Sequence, residues 1–293
     1  MTRILQPFEF FAPSNLEEAL EILRTYGRDV TILAGGTDVL SRMKIGALQP
    51  KSIMSIQEIP DLDFLEYNEK DGLRLGPMTK IRTVEDFPGV REKYTSLYEA
   101  ARVNGTPQIR NMGTVVGNIC RSSPSADCAC ALLSLDAQIC VRSAKGVRWI
   151  AIDKFFTAYN ETAIKPDEMV TEVRILPVED STGTAFIKIG RLSQDLAKIN
   201  SAAQITLRNG NGVCKKARIS LGAMAPTSMR AKEAEKLIEG KEVTSDLLYQ
   251  AGQKASEETQ PITDLRSTAE YRKRVSAVLS HRVLKLAWER TKN

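Results

Sequence analysis

The run from Asp29 to Leu40, DVTILAGGTDVL, sets a short β-rich stretch against a Gly-Gly corner and then a helical turn. Val30, Ile32 and Leu33 are residue types that fill a buried strand, and Gly35-Gly36 ends it where the chain must turn sharply. Upstream, Ser14-Asn15-Leu16-Glu17 has the form of a capping box, with Ser14 as the cap and Glu17 reaching back. Leu16, Ala19, Leu20 and Leu23 follow at helical spacing, and Gly27 ends that helix. Downstream, SIMSI at 52–56 reads as a second buried strand. The chain therefore opens with a β-α-β unit whose glycine corner follows a strand.

Beyond this unit, Gly72–Thr79 is strand-like and Arg91–Asn104 is mostly helical, with Leu97, Ala100, Ala101 and Tyr94 facing inward. Ala137–Ser143 and Val147–Ile152 are strands joined through Ala-Lys-Gly, and Met169–Ile175 alternates as a strand should. The polar stretch from Pro177 to Gly183 marks a domain boundary. After it, AFIKIGRL, INSAAQITLR and VCKKARISLGAM read as three strands, with Asn209-Gly210-Asn211-Gly212 as the turn between the last two. Helices follow at about 230–239, 245–257 and 267–289. The fold class is α+β, a small three-stranded sheet with a helical layer closing the chain.

A chain of 293 residues at 42% hydrophobic can bury two sizeable cores. No apolar run approaches a bilayer span and the N-terminus lacks a signal-peptide pattern, so the expected location is cytoplasmic. Five cysteines are an odd number and do not read as a disulfide framework. The single histidine, His281, excludes sites that need two or more His ligands. The net charge of +5 is concentrated at the end: Leu265–Asn293 carries eight Lys/Arg and two Asp/Glu, a net of +6. There Val278, Leu279, Val283, Leu286 and Ala287 follow a helical period, which makes the basic residues a solvated face or a docking face for an acidic partner subunit. Aromatic residues do not interleave with these charges, so no nucleic-acid binding is expected.

A second glycine segment, Gly113-Thr114-Val115-Val116-Gly117-Asn118, stands beside LAGGTD. Successive amides of a glycine-rich turn can converge on a phosphate oxygen, and glycine admits a ligand close to the backbone. Neither segment contains GxGxxG, and no GK[ST] follows either.

Taken together, four runs resemble one family: LAGGTDVL, PQIRNMGTVVGNICRSSPSAD, FIKIGRLSQDLAKI and ARISLGAMAPTSMRAKEAEKLIEGK. The chain resembles the FAD-binding medium subunit of the molybdenum hydroxylases, the group of xanthine, carbon monoxide and nicotinate dehydrogenases, from about Phe8 to the C-terminal helix. The resemblance implies a two-part FAD-binding domain of the vanillyl-alcohol-oxidase/PCMH type over 1–176, with subdomains of about 1–57 and 58–176. It implies a C-terminal α+β domain of the CO dehydrogenase flavoprotein type over 183–293.

By the same resemblance, the FAD pyrophosphate lies against Thr31, Ile32, Leu33, Ala34, Gly35, Gly36, Thr37 and Asp38. Gly113, Thr114, Val115, Val116, Gly117 and Asn118 form the second embrace, Asp127 lies near the ribityl chain and ring, Met169 is an apolar wall, and Lys188 is close to the isoalloxazine. The family usually has a glycine where this chain has Val116. FAD is expected to be non-covalent, because His281 lies far in sequence from both corners. Molybdopterin and [2Fe–2S] clusters are expected on a large and a small partner subunit. The acceptor is NAD+ or another oxidant such as a quinone, and no catalytic residue beyond the flavin is expected here. A stand-alone FAD reductase or oxidase on the same fold is the alternative.

Four of the five cysteines fall within Cys120–Cys140. The helix-start signal Ser123-Pro124-Ser125 puts Cys128 and Cys130 on one helix, where residues two apart point about 200° apart and cannot easily share an ion. CxxC pairs are absent, so these read as structural thiols with no metal site, and Cys120 is set apart by its place beside the second corner.

Overall fold

A computed structural model of the chain describes residues 5–192, 194–208 and 212–292. The first unit contains β1 (Glu9–Phe11), α1 (Leu16–Tyr26), β2 (Val30–Leu33), α2 (Val39–Lys44) and β3 (Ser52–Ser55). Its three strands are parallel in the order β1-β3-β2. Asn15, rather than Ser14, caps α1: its side chain accepts from the Glu18 amide at 2.9 Å, and the Glu18 carboxylate reaches back to the Ser14 amide at 2.9 Å. The expected box is thus displaced by one residue, because asparagine caps as well as serine. Gly27 closes the helix at φ 53°, a backbone angle that favours glycine.

The middle of the chain runs through β4 (Leu65–Asn68), β5 (Gly72–Leu75), α3 (Ile81–Asp86), α4 (Pro88–Lys93), α5 (Thr95–Val103), α6 (Pro107–Met112), α7 (Val115–Cys120) and α8 (Asp127–Ser134). It returns through β6 (Gln138–Ser143), β7 (Gly146–Ala151), the hairpin β8 (Phe156–Ala158) and β9 (Glu161–Thr162), and β10 (Met169–Ile175). The five-stranded antiparallel sheet has the order β4-β5-β10-β6-β7. Strand β10 was expected to alternate, but as the middle strand it is covered on both faces, and Met169, Val170, Thr171, Glu172 and Val173 are all buried. A strand covered on both sides does not need a polar face.

The last part holds β11 (Thr182–Ile189), β12 (Ile199–Leu207), β13 (Cys214–Gly222), β14 (Met229–Arg230), α9 (Lys232–Ile238), α10 (Ser245–Glu257) and α11 (Ala269–Glu289). The antiparallel sheet β11-β12-β13-β14 gains a short fourth strand, β14, beyond the three expected. The Asn209–Gly212 turn falls on residues 209–211, outside the described residues. Along α11, Leu279, Val283, Leu284 and Ala287 are buried, whereas Val278, expected inside, is 46% exposed and Leu286 is half-buried.

Strand alternation lets this sheet serve two cores. Phe186 and Ala202 face the core shared with α5 and α8, together with Leu97, Ala100, Cys128 and Leu132. Ala185, Ile199, Ala203 and Ile205 face the other way, onto Leu248, Leu279 and Val283 of the terminal helices. A third core beneath α1 joins Leu20 and Leu23 to Met54, Ile56 and Met169. Val115 and Val116 of the second glycine segment belong to the core with α5 and α8, and Ile32 and Ala34 beside the first pack against the core beneath α1.

Candidate functional site

The two glycine corners are packed against each other. A Cβ on Gly35 would fall 1.8 Å from the Met112 carbonyl oxygen and 3.0 Å from Gly113 Cα. Only glycine permits that approach. Gly36 turns the chain at φ 74°, with Leu33 and Leu40 beneath it. The second corner is tied to the chain before α3, because Val115 N donates to Thr79 O at 3.2 Å and Ile81 N to Gly113 O at 2.9 Å.

A cleft of about 490 Å³ opens where the corners meet. Of the residues the sequence singled out, Ile32, Ala34, Gly35, Gly36, Thr37, Asp38, Gly113, Thr114, Val116, Gly117, Asn118 and Met169 line it. Leu33 packs under Gly36, and Val115 is fully buried in the core. Thr31 belongs to β2, its register partner being Ile53. Asp127 and Lys188 are not among the lining residues and are bound to each other: Lys188 Nζ is 2.7 Å from Asp127 Oδ2 and 2.9 Å from Val103 O. Met169 lines the cleft although only 1% exposed, which fits an apolar wall.

Sequence reading missed Arg42, Asn104, Ile109, Arg121 and Glu168, which also line the cleft, as does Cys120, set apart in the sequence by its place beside the second corner. Asn104 and Glu168 belong to segments brought to the corners by the tertiary fold, and no local motif marks them, whereas Ile109 and Arg121 lie within the run PQIRNMGTVVGNICRSSPSAD around the second corner. Arg42 carried a signal of another kind, at four residues after Asp38 on one helix face.

The donors fit a dinucleotide carrying a diphosphate. The amides of Gly35, Gly36, Thr37 and Asp38 have no intramolecular acceptor among the described residues, and together they offer an anion a concave set of donors. Thr114 Oγ1 accepts from Gly117 N at 2.9 Å, which leaves its hydroxyl proton to donate elsewhere. Asn118 Oδ1 is buried without a partner among the described residues, a cost that a bound hydroxyl or amide group would relieve. Charge gathers at the rim: Asp38 is paired with Arg121 at 2.9 Å and with Arg42 at 3.6 Å. Glu168 is held below the usual carboxylate range by Arg148, against the opposing effect of burial.

The remaining expected elements lie elsewhere. Cys128 and Cys130 sit inside the core on α8, and burial pushes both thiols up to about 12. Cys120, at the cleft, is raised in the same way to about 12. Among the described residues no group of three or more His, Cys, Asp or Glu could hold a metal ion. His281 meets Tyr249 edge to face with ring centroids 5.7 Å apart, between α10 and α11. No described helix is long and apolar enough to cross a membrane.

The comparisons with known proteins agree with this geometry. Residues 6–178 match the family described as FAD binding domain in molybdopterin dehydrogenase, and residues 184–287 match the CO dehydrogenase flavoprotein C-terminal domain. The chain is 30% identical to the carbon monoxide dehydrogenase medium chain of Hydrogenophaga pseudoflava over 97% of its own length and 98% of the relative's. It is 30% identical to the nicotinate dehydrogenase FAD-subunit of Eubacterium barkeri over 83% of each chain. Its fold superposes on the solved carbon monoxide dehydrogenase of Hydrogenophaga pseudoflava with a TM-score of 0.93, at 30% identity, covering 98% of this chain and 99% of that one. The chain belongs to the family of FAD-binding subunits of the molybdopterin dehydrogenases, the molybdenum hydroxylases.

Proposed function

We propose that the chain works as the electron-transfer subunit of a three-part assembly, beside a large molybdopterin-binding subunit and a small subunit with [2Fe–2S] centres. Electrons from substrate oxidation on the large subunit reach this chain through the small one and leave to NAD+ or another acceptor such as a quinone. The assembly is cytoplasmic in this reading. FAD, when bound, supplies a centre that exchanges both single electrons and pairs.

Within the chain, the run Thr31–Asp38 and the run Gly113–Asn118 hold the diphosphate and its flanking sugars. Their backbone amides offset the negative charge, and Thr114 and Asn118 orient the hydroxyls. Met169 closes the apolar side. Asp127 and Lys188 set the polar surroundings behind the ring end of the cleft. Residues 1–176 carry this site, and residues 183–293 form the layer that buttresses it.

The observation that carries the reading is the contact of the two glycine corners, with four unpaired amides of one corner beside the unsatisfied Asn118 oxygen of the other. A stand-alone reductase or oxidase has no specific observation in its favour. Co-expression with the two candidate partner chains, followed by a visible spectrum and iron assay of each purified species, tests the proposal. The expected result is a yellow, iron-free chain with acid-releasable FAD that co-purifies with both partners. A colourless chain would sink the flavin assignment, and a yellow chain that never associates would sink the assembly.

A further inference from the structure

We propose that Arg121 and Arg42, joined through Asp38, form a cationic lip that recognises the ADP-bearing half of the cofactor; this rests on the FAD reading above. Two guanidinium groups share one carboxylate: Arg121 Nε is 2.9 Å from Asp38 Oδ1, and Arg42 Nη1 is 3.6 Å from Asp38 Oδ2. Neither arginine has another carboxylate partner among the described residues. Two positive charges against one negative leave the cluster at +1. All three residues line the cleft, and Asp38 is the last member of the corner whose amides have no acceptor among the described residues.

The lip is also held in place from its far side. Arg121 Nη1 donates to Asn160 Oδ1 at the turn between β8 and β9. That turn is fastened to the segment carrying Arg121, since Asn160 N donates to Ser122 O at 3.2 Å and Ser122 Oγ to Ala158 O at 3.1 Å. The Arg121 side chain is 22% exposed. A planar guanidinium fixed on two sides keeps a remaining N–H edge for a phosphate oxygen, at little further entropic cost. Backbone amides offset only part of a diphosphate's two charges, and a cation in a partly desolvated cleft acts more strongly than one in bulk water. The fixed arginine beside the free amides therefore places a full positive charge where a diphosphate needs one.

The test uses the full-length chain stripped of flavin and titrated separately with FAD, ADP and riboflavin. In Arg121→Gln, FAD and ADP should each bind about tenfold more weakly while riboflavin binds as before, because only the first two carry the diphosphate. Arg121→Lys should recover part of the loss, and the salt dependence of FAD binding should flatten in the glutamine variant. Arg42→Gln should give a smaller loss in the same two titrations, consistent with its longer pairing distance. Unchanged FAD and ADP affinity in Arg121→Gln, or an equal loss of riboflavin, would overturn the lip. Failure of the unmodified chain to bind FAD would instead remove the underlying flavin reading.

Discussion

Lys188 Nζ lies 2.7 Å from Asp127 Oδ2 with the two side chains only 6% and 5% exposed, so the sheet and α8 are joined by a buried ion pair. Strand alternation turns Lys188 and Asn200 towards α8, and Asp127 is the first residue of that helix. Asn200 Nδ2 donates to Asp127 Oδ1 at 2.7 Å, so both carboxylate oxygens are engaged. Burial pushes the Asp127 carboxyl up, and the neighbouring Lys188 charge works against it.

Removing the cation should therefore expose the cost of that burial. Lys188→Met is expected to destabilise the chain by about 3–5 kcal/mol at neutral pH, because an unpaired carboxylate is left inside. A carboxyl raised by folding keeps its stability contribution below the ordinary aspartate range, where it is protonated folded and unfolded. The contribution is lost as pH rises through the folded value. The variant should thus lose stability from pH 5 to pH 8 more steeply than the unmodified chain. Urea midpoints at the two pH values check this, and adding Asp127→Asn should restore most of the loss.

Gly35→Ala is expected to fail by a different route. Its Cβ would enter the Met112 carbonyl, and backbone cannot swing aside as a flexible side chain can. The corners would separate, costing about 1–3 kcal/mol or more and emptying the cleft of FAD. At Gly36 an alanine Cβ meets only the Leu40 and Leu33 side chains, at 3.1 and 3.3 Å, and the penalty is mainly the φ of 74°, about 1–2 kcal/mol. FAD content should therefore fall further in Gly35→Ala than in Gly36→Ala. The reverse order would show that the corner contact is not what shapes the site.

The strand–glycine–helix order around Leu33-Ala34-Gly35-Gly36 was legible because it is local: β-formers, then a sharp turn, then a helical turn. The three C-terminal helices were legible for the same reason, through periodicity and glycine or polar breaks. Strand β10 lies where the sequence put it, at Met169–Ile175, but its two-sided burial was not legible, because nothing in MVTEVRI reveals that it sits between two sheet neighbours. At the cleft, the glycine runs were visible and Asn104 and Glu168 were not, since their membership depends on which segments the fold brings together. The contact of Gly35 with Met112, across seventy-seven positions, is likewise a tertiary fact.

The thiols should be slow to react. Burial raises Cys120, Cys128, Cys130 and Cys214 to about 12, so almost none of each is thiolate at pH 8. Labelling with a disulfide reagent at that pH is expected to be slow for these four in the native chain and complete on unfolding. Cys128→Ser with Cys130→Ser should leave the iron content at background. Rapid native labelling of Cys128 or Cys130, followed by peptide mapping, would contradict their place in the core.

Val116 stands between Gly113 and Gly117 in the second corner, and its effect follows from where its side chain goes. It lines the cleft yet is only 4% exposed, packed in the core with Val115, Ile119 and Leu97. The methyl groups therefore serve the packing of α7, while the backbone keeps its place beside Gly117. Val116→Gly should remove buried apolar volume and loosen a helix of six residues, costing about 2–4 kcal/mol. FAD affinity at low temperature, where the variant is folded, should change by less than about threefold, well under 1 kcal/mol. Thermal unfolding and a flavin titration on the same sample separate the two effects. A stable Val116→Gly chain with much tighter FAD binding would mean that the valine crowds the cofactor rather than the core.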